Sequence, residues 1–242
     1  MPNLKILTAA VFTVLILVSI AAPVLAVTYK PGVTTGQYVK YGNFVGTGPG
    51  LEDFSNYDAQ TVQVTNVAGS QVTLLTTGQY KNGTATPGNG TVNVWDVAAG
   101  TEDGTQKTQG PIIATNLKGG DSIPPPDTYA VNSTENRQYL GTTRSSNILS
   151  ITLSTPDYNS SLTYIYDKAS GMLLESSSQT TVQGESGPVT SEYSYSITQT
   201  NIFYSTPTNP IQEIPLGTIG ILAIAIIFVA FAVVLILFRK RI

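Results

Sequence analysis

Leu216 to Phe238 is a run of 23 residues without a charge, and sixteen of them are Ile, Leu, Val or Phe. As a helix it would span roughly 34 Å, against a hydrocarbon core of about 30 Å. Mid-membrane transfer values favour its insertion by about 5–10 kcal/mol as an upper bound. Arg239-Lys240-Arg241-Ile242 follows at once. A basic cluster there belongs on the cytoplasmic side, so everything upstream is expected outside.

The other end is consistent with export. Met1–Lys5 is short and weakly basic, Ile6–Ile20 is apolar, and Val24 and Ala26 occupy the small-residue positions before a signal-peptidase cut. Residues 1–26 therefore read as a signal peptide with an apolar helix, an uncleaved anchor being the alternative. Residues 27–203 read as an extracellular domain and 204–215, with Pro207, Pro210 and Pro215, as an extended stalk. Residues 216–238 form the transmembrane helix and 239–242 the cytoplasmic tail.

Between these segments the periodicity is that of strands. Val189, Ser191, Tyr193, Tyr195 and Ile197 alternate with Thr190, Glu192, Ser194, Ser196 and Thr198. Leu149, Ile151 and Leu153 alternate with Ile148, Ser150 and Thr152, and shorter runs surround Val62, Val72 and Leu162. Turn chemistry separates the runs. Lys81-Asn82-Gly83 and Gly88-Asn89-Gly90 favour positive φ, and Asp167-Lys168-Ala169-Ser170-Gly171 fits a type I turn closed by a left-handed glycine. Pro124-Pro125-Pro126 cannot lie in a central strand and marks an irregular crossing. The expectation is an all-β fold of about nine to eleven strands, in a large curved antiparallel meander sheet or partly closed barrel. A two-sheet sandwich is the alternative. A helical turn is allowed only near Leu51–Tyr57.

Composition narrows the chemistry. The chain has no His and no Cys, which removes His-based triads, thiol nucleophiles, and His or Cys metal sites. No Ser-x-x-Lys, Asp-Thr-Gly or Asp-Ser-Gly occurs. An enzyme is therefore not expected, a carboxylate-based hydrolase being the remote alternative. No cofactor is expected beyond calcium, for which Glu102, Asp103, Asp121 and Asp127 are the weak candidates. Residues 27–215 hold eight Lys/Arg and fifteen Asp/Glu, about −7, which argues against a nucleic-acid partner. Asn82, Asn89, Asn132 and Asn159 stand in Asn-x-Ser/Thr sequons and are glycosylation candidates.

Tyr164 and Tyr166, Tyr193 and Tyr195, and the single Trp95 are the ligand-face candidates. Aromatic pairs two apart on strands either pack across a β core or line a concave face that receives an apolar or sugar ligand.

The plan as a whole resembles archaeal cell-surface proteins that combine a signal peptide, a Ser/Thr/Gly-rich β ectodomain, a Pro-containing stalk and a basic-ended C-terminal helix. Glu213-Ile214-Pro215-Leu216-Gly217 and Arg239-Lys240-Arg241 carry that resemblance. Some such anchors are processed by sortase-like enzymes, but a clean Pro-Gly-Phe or Pro-Glu-Phe signal is absent here, which implies a retained helix. By analogy, the expected sheet is similar to the lipid-carrying folds of envelope carriers such as LolA and LppX. These readings give a single-pass cell-membrane protein with its ectodomain outside. The expected role is cell-envelope binding or structure, with an extracellular protein, glycan or lipid as partner. A lipid, sugar or peptide carrier or sensor is the second reading.

Overall fold

A computed structural model describes residues 29–107, 109–124, 129–185 and 187–204. The apolar segments 6–20 and 216–238, residues 205–215 of the stalk and the basic tail lie outside the described residues. Among those described, no helix is long and apolar enough to cross a membrane.

The fold is all-β. Six strands form a first meander: β1 (Tyr38–Thr47), β2 (Tyr57–Ala68), β3 (Gln71–Tyr80), β4 (Thr91–Asp96), β5 (Thr101–Glu102) and β6 (Thr105–Gln106). Five form a second: β9 (Ser133–Tyr139), β10 (Thr142–Thr155), β11 (Tyr158–Asp167), β12 (Leu173–Gly184) and β13 (Gly187–Thr200). Between them lies a short ribbon of β7 (Ser122–Ile123) and β8 (Tyr129–Ala130). Antiparallel pairing of β1 with β13 fuses the meanders into one eleven-stranded sheet, ordered β6-β5-β4-β3-β2-β1-β13-β12-β11-β10-β9. First and last long strands thus meet in the middle.

Two expectations need correcting. The sheet is open, because β6 and β9 are not paired with each other among the described residues, so there is no barrel closure. Nor do the long strands divide into a two-sheet sandwich. The sequence shows where strands run but not which edges meet, since both arrangements satisfy the same alternation. The helical turn near Leu51–Tyr57 is a single 3-10 turn, Phe54–Asn56.

Register explains the alternation. Directly paired residues share a face, and Val39 faces Val62, Val64 faces Leu74, and Val72 faces Trp95. On the other half Leu149 faces Tyr164, which faces Ser176, which faces Tyr195. All lie on one inner face. The β1 ladder is interrupted between Gly42 and Val45, where Asn43 adopts φ 53° and donates its amide to Ser196 Oγ at 3.0 Å. This bulge turns Phe44 inward and leaves Val45 exposed.

The sheet bends strongly about this face. Strands β4 and β11 are six steps apart in the order, roughly 29 Å in a flat sheet at about 4.8 Å per step. Yet Gly110 touches both: its carbonyl accepts the Tyr166 hydroxyl at 3.1 Å, and a Cβ added to it would lie 2.1 Å from the Trp95 ring. Curvature brings the two ends of the sheet to one residue.

That residue belongs to the crossing between β6 and β9, which packs Ile112, Ile113, Ala114 and Leu117 as core. The crossing is held at the β11–β12 turn. Gly171 N donates to Asp167 O at 2.7 Å and has φ +78°, as the type I turn with a left-handed glycine requires. Ile113 N donates to Gly171 O at 2.9 Å, Asn116 N to Lys168 O at 2.9 Å, and Leu173 N to Pro111 O at 2.9 Å. Beneath the turn, Arg144 Nε and Nη2 bind the buried Asp167 carboxylate at 2.8 and 2.9 Å. Ser170 N and Oγ donate to the same carboxylate at 2.9 and 2.7 Å.

Candidate ligand-binding site

A cavity of about 420 Å³ opens on the inner face, within the range of small-molecule sites, about 300–1,000 Å³. Its floor is Tyr41, Val62, Leu74, Leu173 and the edge of Trp95, and one wall carries Tyr164, Tyr193 and Tyr195. Gln60, Thr76, Asn93 and Glu102 rise from β2–β5, and Lys107, Gln109, Gly110 and Pro111 of the crossing form the opposite wall.

Strand pleating sets this composition. Asn93 and Trp95 are two apart on β4 and therefore share a face, as do Gln60 and Val62 on β2 and Tyr193 and Tyr195 on β13. The Tyr193 and Tyr195 rings are nearly parallel, 14° between planes and 6.4 Å between centroids. Phe54, delivered by the β1–β2 loop, packs on them at 5.4 and 6.2 Å and on Phe44 at 5.5 Å. Ser55 fastens that loop, its Oγ accepting from Gly46 N at 2.8 Å and donating to Gly46 O at 3.0 Å.

Burial keeps Tyr41, Tyr164, Tyr166 and Tyr195 neutral. Burial, followed by the neighbouring Tyr193, pushes Tyr164 well above the usual phenol range. Burial does the same for Tyr41 and Tyr166. Tyr195 is pushed up by burial to about 12, with Ser176 opposing the shift. On the far wall Lys107 Nζ lies 3.4 Å from Glu102 Oε2, and Asn93 Nδ2 donates to Glu102 Oε1. The cavity therefore presents phenol and amide groups and one internally paired acid and base. It can hold a ligand by ring contact and hydrogen bonding. Glu102 is the one carboxylate among its described lining residues.

Four of the five ligand-face candidates, Trp95, Tyr164, Tyr193 and Tyr195, come together here. Tyr166 does not line the cavity; it is fully buried and spends its hydroxyl on Gly110. Packing and cavity lining are thus not exclusive, because one aromatic row does both. Sequence reasoning missed Gln60, Asn93, Lys107 and Gln109. The period-2 run Asn93-Val94-Trp95 held a signal for Asn93. Nothing local placed the crossing residues.

Among the described residues the metal candidates do not assemble. Glu102 is engaged by Asn93 and Lys107. Asp103 sits in the β5–β6 turn at φ 47° and accepts Val94 N at 2.8 Å, while Asp121 accepts Lys118 N at 2.9 Å. Asp127 lies outside the described residues. Among those described, no three His, Cys, Asp or Glu side chains form a metal-sized group.

All four sequon asparagines are exposed. Asn82 Oδ1 accepts from Thr84 N at 3.0 Å and Thr84 Oγ1 at 2.7 Å, within its own sequon. Asn89 Oδ1 accepts Gly78 N at 2.9 Å and Asn132 Oδ1 accepts Ser150 N at 2.6 Å. These bonds use the oxygen, and a glycan attaches at Nδ2.

Comparison with protein-family models and with curated proteins finds no match to this sequence.

Proposed function

We propose that the chain is a membrane-anchored extracellular binding domain that takes a small ligand on the concave face of its sheet. The observation that carries this reading is the aromatic cavity on the inner face, where polar side chains from β2, β4, β5 and the crossing converge. The placement at the membrane draws on Leu216–Phe238 and the basic residues after it. The binding role is non-enzymatic and places the ligand outside the cell. Trp95, the single tryptophan, lines the cavity and reports on it. Titration of the full chain with a glycan and lipid panel should shift its emission for at least one member, and no shift with any member refutes the reading.

A structural role in the envelope is favoured by a separate observation. Tyr158, Val182 and Val189 are cross-strand neighbours at the far ends of β11, β12 and β13, and each is exposed, as is Leu153 beside them. Strand β13 begins at this patch and leads to Thr200 at its other end, so the patch is remote from the chain's exit from the sheet. The occupant proposed is a second copy of this chain. Sedimentation of the wild type against Val182→Ser at increasing concentration tests it, and identical monomeric profiles refute it.

A further inference from the structure

We infer that the ligand of the cavity is a neutral saccharide, an inference that rests on the concave face being a binding site. Three features of the lining select this class.

The first is the mixture of hydrogen-bonding groups. Gln60, Asn93 and Gln109 carry amides, each both donor and acceptor, and tyrosine hydroxyls do the same. A sugar hydroxyl also donates and accepts, so a ring bearing several of them matches such a lining. A hydrocarbon tail would instead bury the Gln60 amide without a partner, at a cost of about 1–3 kcal/mol.

The second is charge. Lys107 and Glu102 are the only formal charges among the described lining residues, and they are paired at 3.4 Å. A phosphate, sulfate or carboxylate ligand would have to compete with Glu102 for Lys107, and a cation would have to compete with Lys107 for Glu102. Neither sign has a free counter-charge in the cavity, so an uncharged ligand is the one that need not break the pair.

The third is the aromatic wall. Tyr193 and Tyr195 are only partly buried, near-parallel and backed by Phe54. Such rings offer apolar surface to the C–H side of a sugar. Trp95 contributes only its edge, since it is 8% exposed and Gly110 lies against it.

The test uses the full chain in phospholipid nanodiscs, titrated by calorimetry and Trp95 emission. Maltotriose, cellotriose and triacetylchitotriose are the neutral probes, with trigalacturonate and laurate as the acidic and apolar comparators. At least one neutral trisaccharide should bind, tenfold or more tighter than trigalacturonate. Gln60→Ala and Asn93→Ala should each weaken it at least fivefold, and the near-isosteric Gln60→Glu should do so without loss of far-UV circular dichroism. Binding of laurate alone, or tighter binding of trigalacturonate, overturns the saccharide inference and leaves the binding face standing. Trisaccharide binding indifferent to all three substitutions overturns it too, by placing the sugar elsewhere. Silence from every probe overturns both the inference and the binding reading beneath it.

Discussion

Arg144→Ala removes the only side chain among the described residues that forms an ion pair with Asp167. The Asp167 side chain is 1% exposed and that of Arg144 20%, so the carboxylate would be left nearly dry. Ser170 would still donate two bonds, which satisfy part of the carboxylate but do not neutralise it. Breaking a buried pair from one side typically costs about 3–5 kcal/mol. For a domain of this size that is a melting shift of roughly 6–20 °C. Asp167→Asn should cost less, about 2 kcal/mol, because the amide oxygen still accepts from Ser170 and the Arg144 side chain, at 20% exposure, reaches solvent more than the Asp167 carboxylate does. The double variant Arg144→Ala/Asp167→Asn should be less destabilised than the sum of the single substitutions, by about 2 kcal/mol or more. Urea unfolding followed by far-UV circular dichroism and by Trp95 emission supplies the cycle. A loss below about 1 kcal/mol for Arg144→Ala, or strict additivity, would refute the claim that this pair locks the turn. A second consequence is positional. The turn holds the crossing through Lys168 and Gly171, and the crossing supplies Gly110 and Pro111 to the cavity wall. Loosening it should therefore alter Trp95 emission before global unfolding.

Other expectations follow from the same geometry. Gly171→Ala should destabilise by well over the roughly 1–2 kcal/mol of a left-handed alanine, because its Cβ would lie 2.0 Å from Ile113 O. Gly69→Ala, at φ +63° with no atom within 4 Å, should cost only the conformational part, and equal losses in urea unfolding would contradict the crowding argument. Gly110→Ala should displace the Trp95 ring and shift its emission even in the folded protein; an unchanged spectrum with unchanged stability would mean that the two do not touch. Alkali should unfold the domain through its tyrosines. Tyr195 has a folded pKa raised to about 12 from an ordinary value of about 10, so its contribution is complete below about pH 10 and lost as pH rises through about 12. Tyr139 follows the same course, raised to about 12 by burial and then by Glu175. Part of the tyrosinate absorbance at 295 nm should therefore appear only together with the loss of circular dichroism. Ionisation of all 13 tyrosines while the fold persists would refute this.

Strands and turns were legible in the sequence because their signals are local. Alternation at Val189–Thr198 placed Tyr193, Tyr195 and Ile197 on one face, and Asp167–Gly171 specified its turn through one glycine that must be left-handed. Sheet closure was not legible, since it depends on which edges meet across a bend. Six strands of separation between Trp95 and Tyr166 collapse onto Gly110, and no local pattern encodes that approach. The cavity was half legible for the same reason. Its aromatic wall follows from period-2 pairs, whereas Lys107 and Gln109 come from a segment that reads as irregular loop. The β1 bulge shows the limit on a smaller scale: strict alternation puts Asn43 and Val45 inward, and one left-handed residue substitutes Phe44.

The order of strands bears on how such a site would be carried. Strand β13 pairs with β12 along ten residue pairs and with β1 along seven, so it is bonded on both sides. Whatever the chain beyond Tyr204 is attached to, a pull along it enters the sheet through β13. Force along a strand paired on both sides loads many backbone hydrogen bonds together, whereas force on an edge turn peels them one at a time. Tyr193 and Tyr195 lie on that same strand and form one wall of the cavity. The other wall is the crossing, locked to the β11–β12 turn by backbone bonds. The strand that would bear a tether and the strand that presents the aromatic rings are the same.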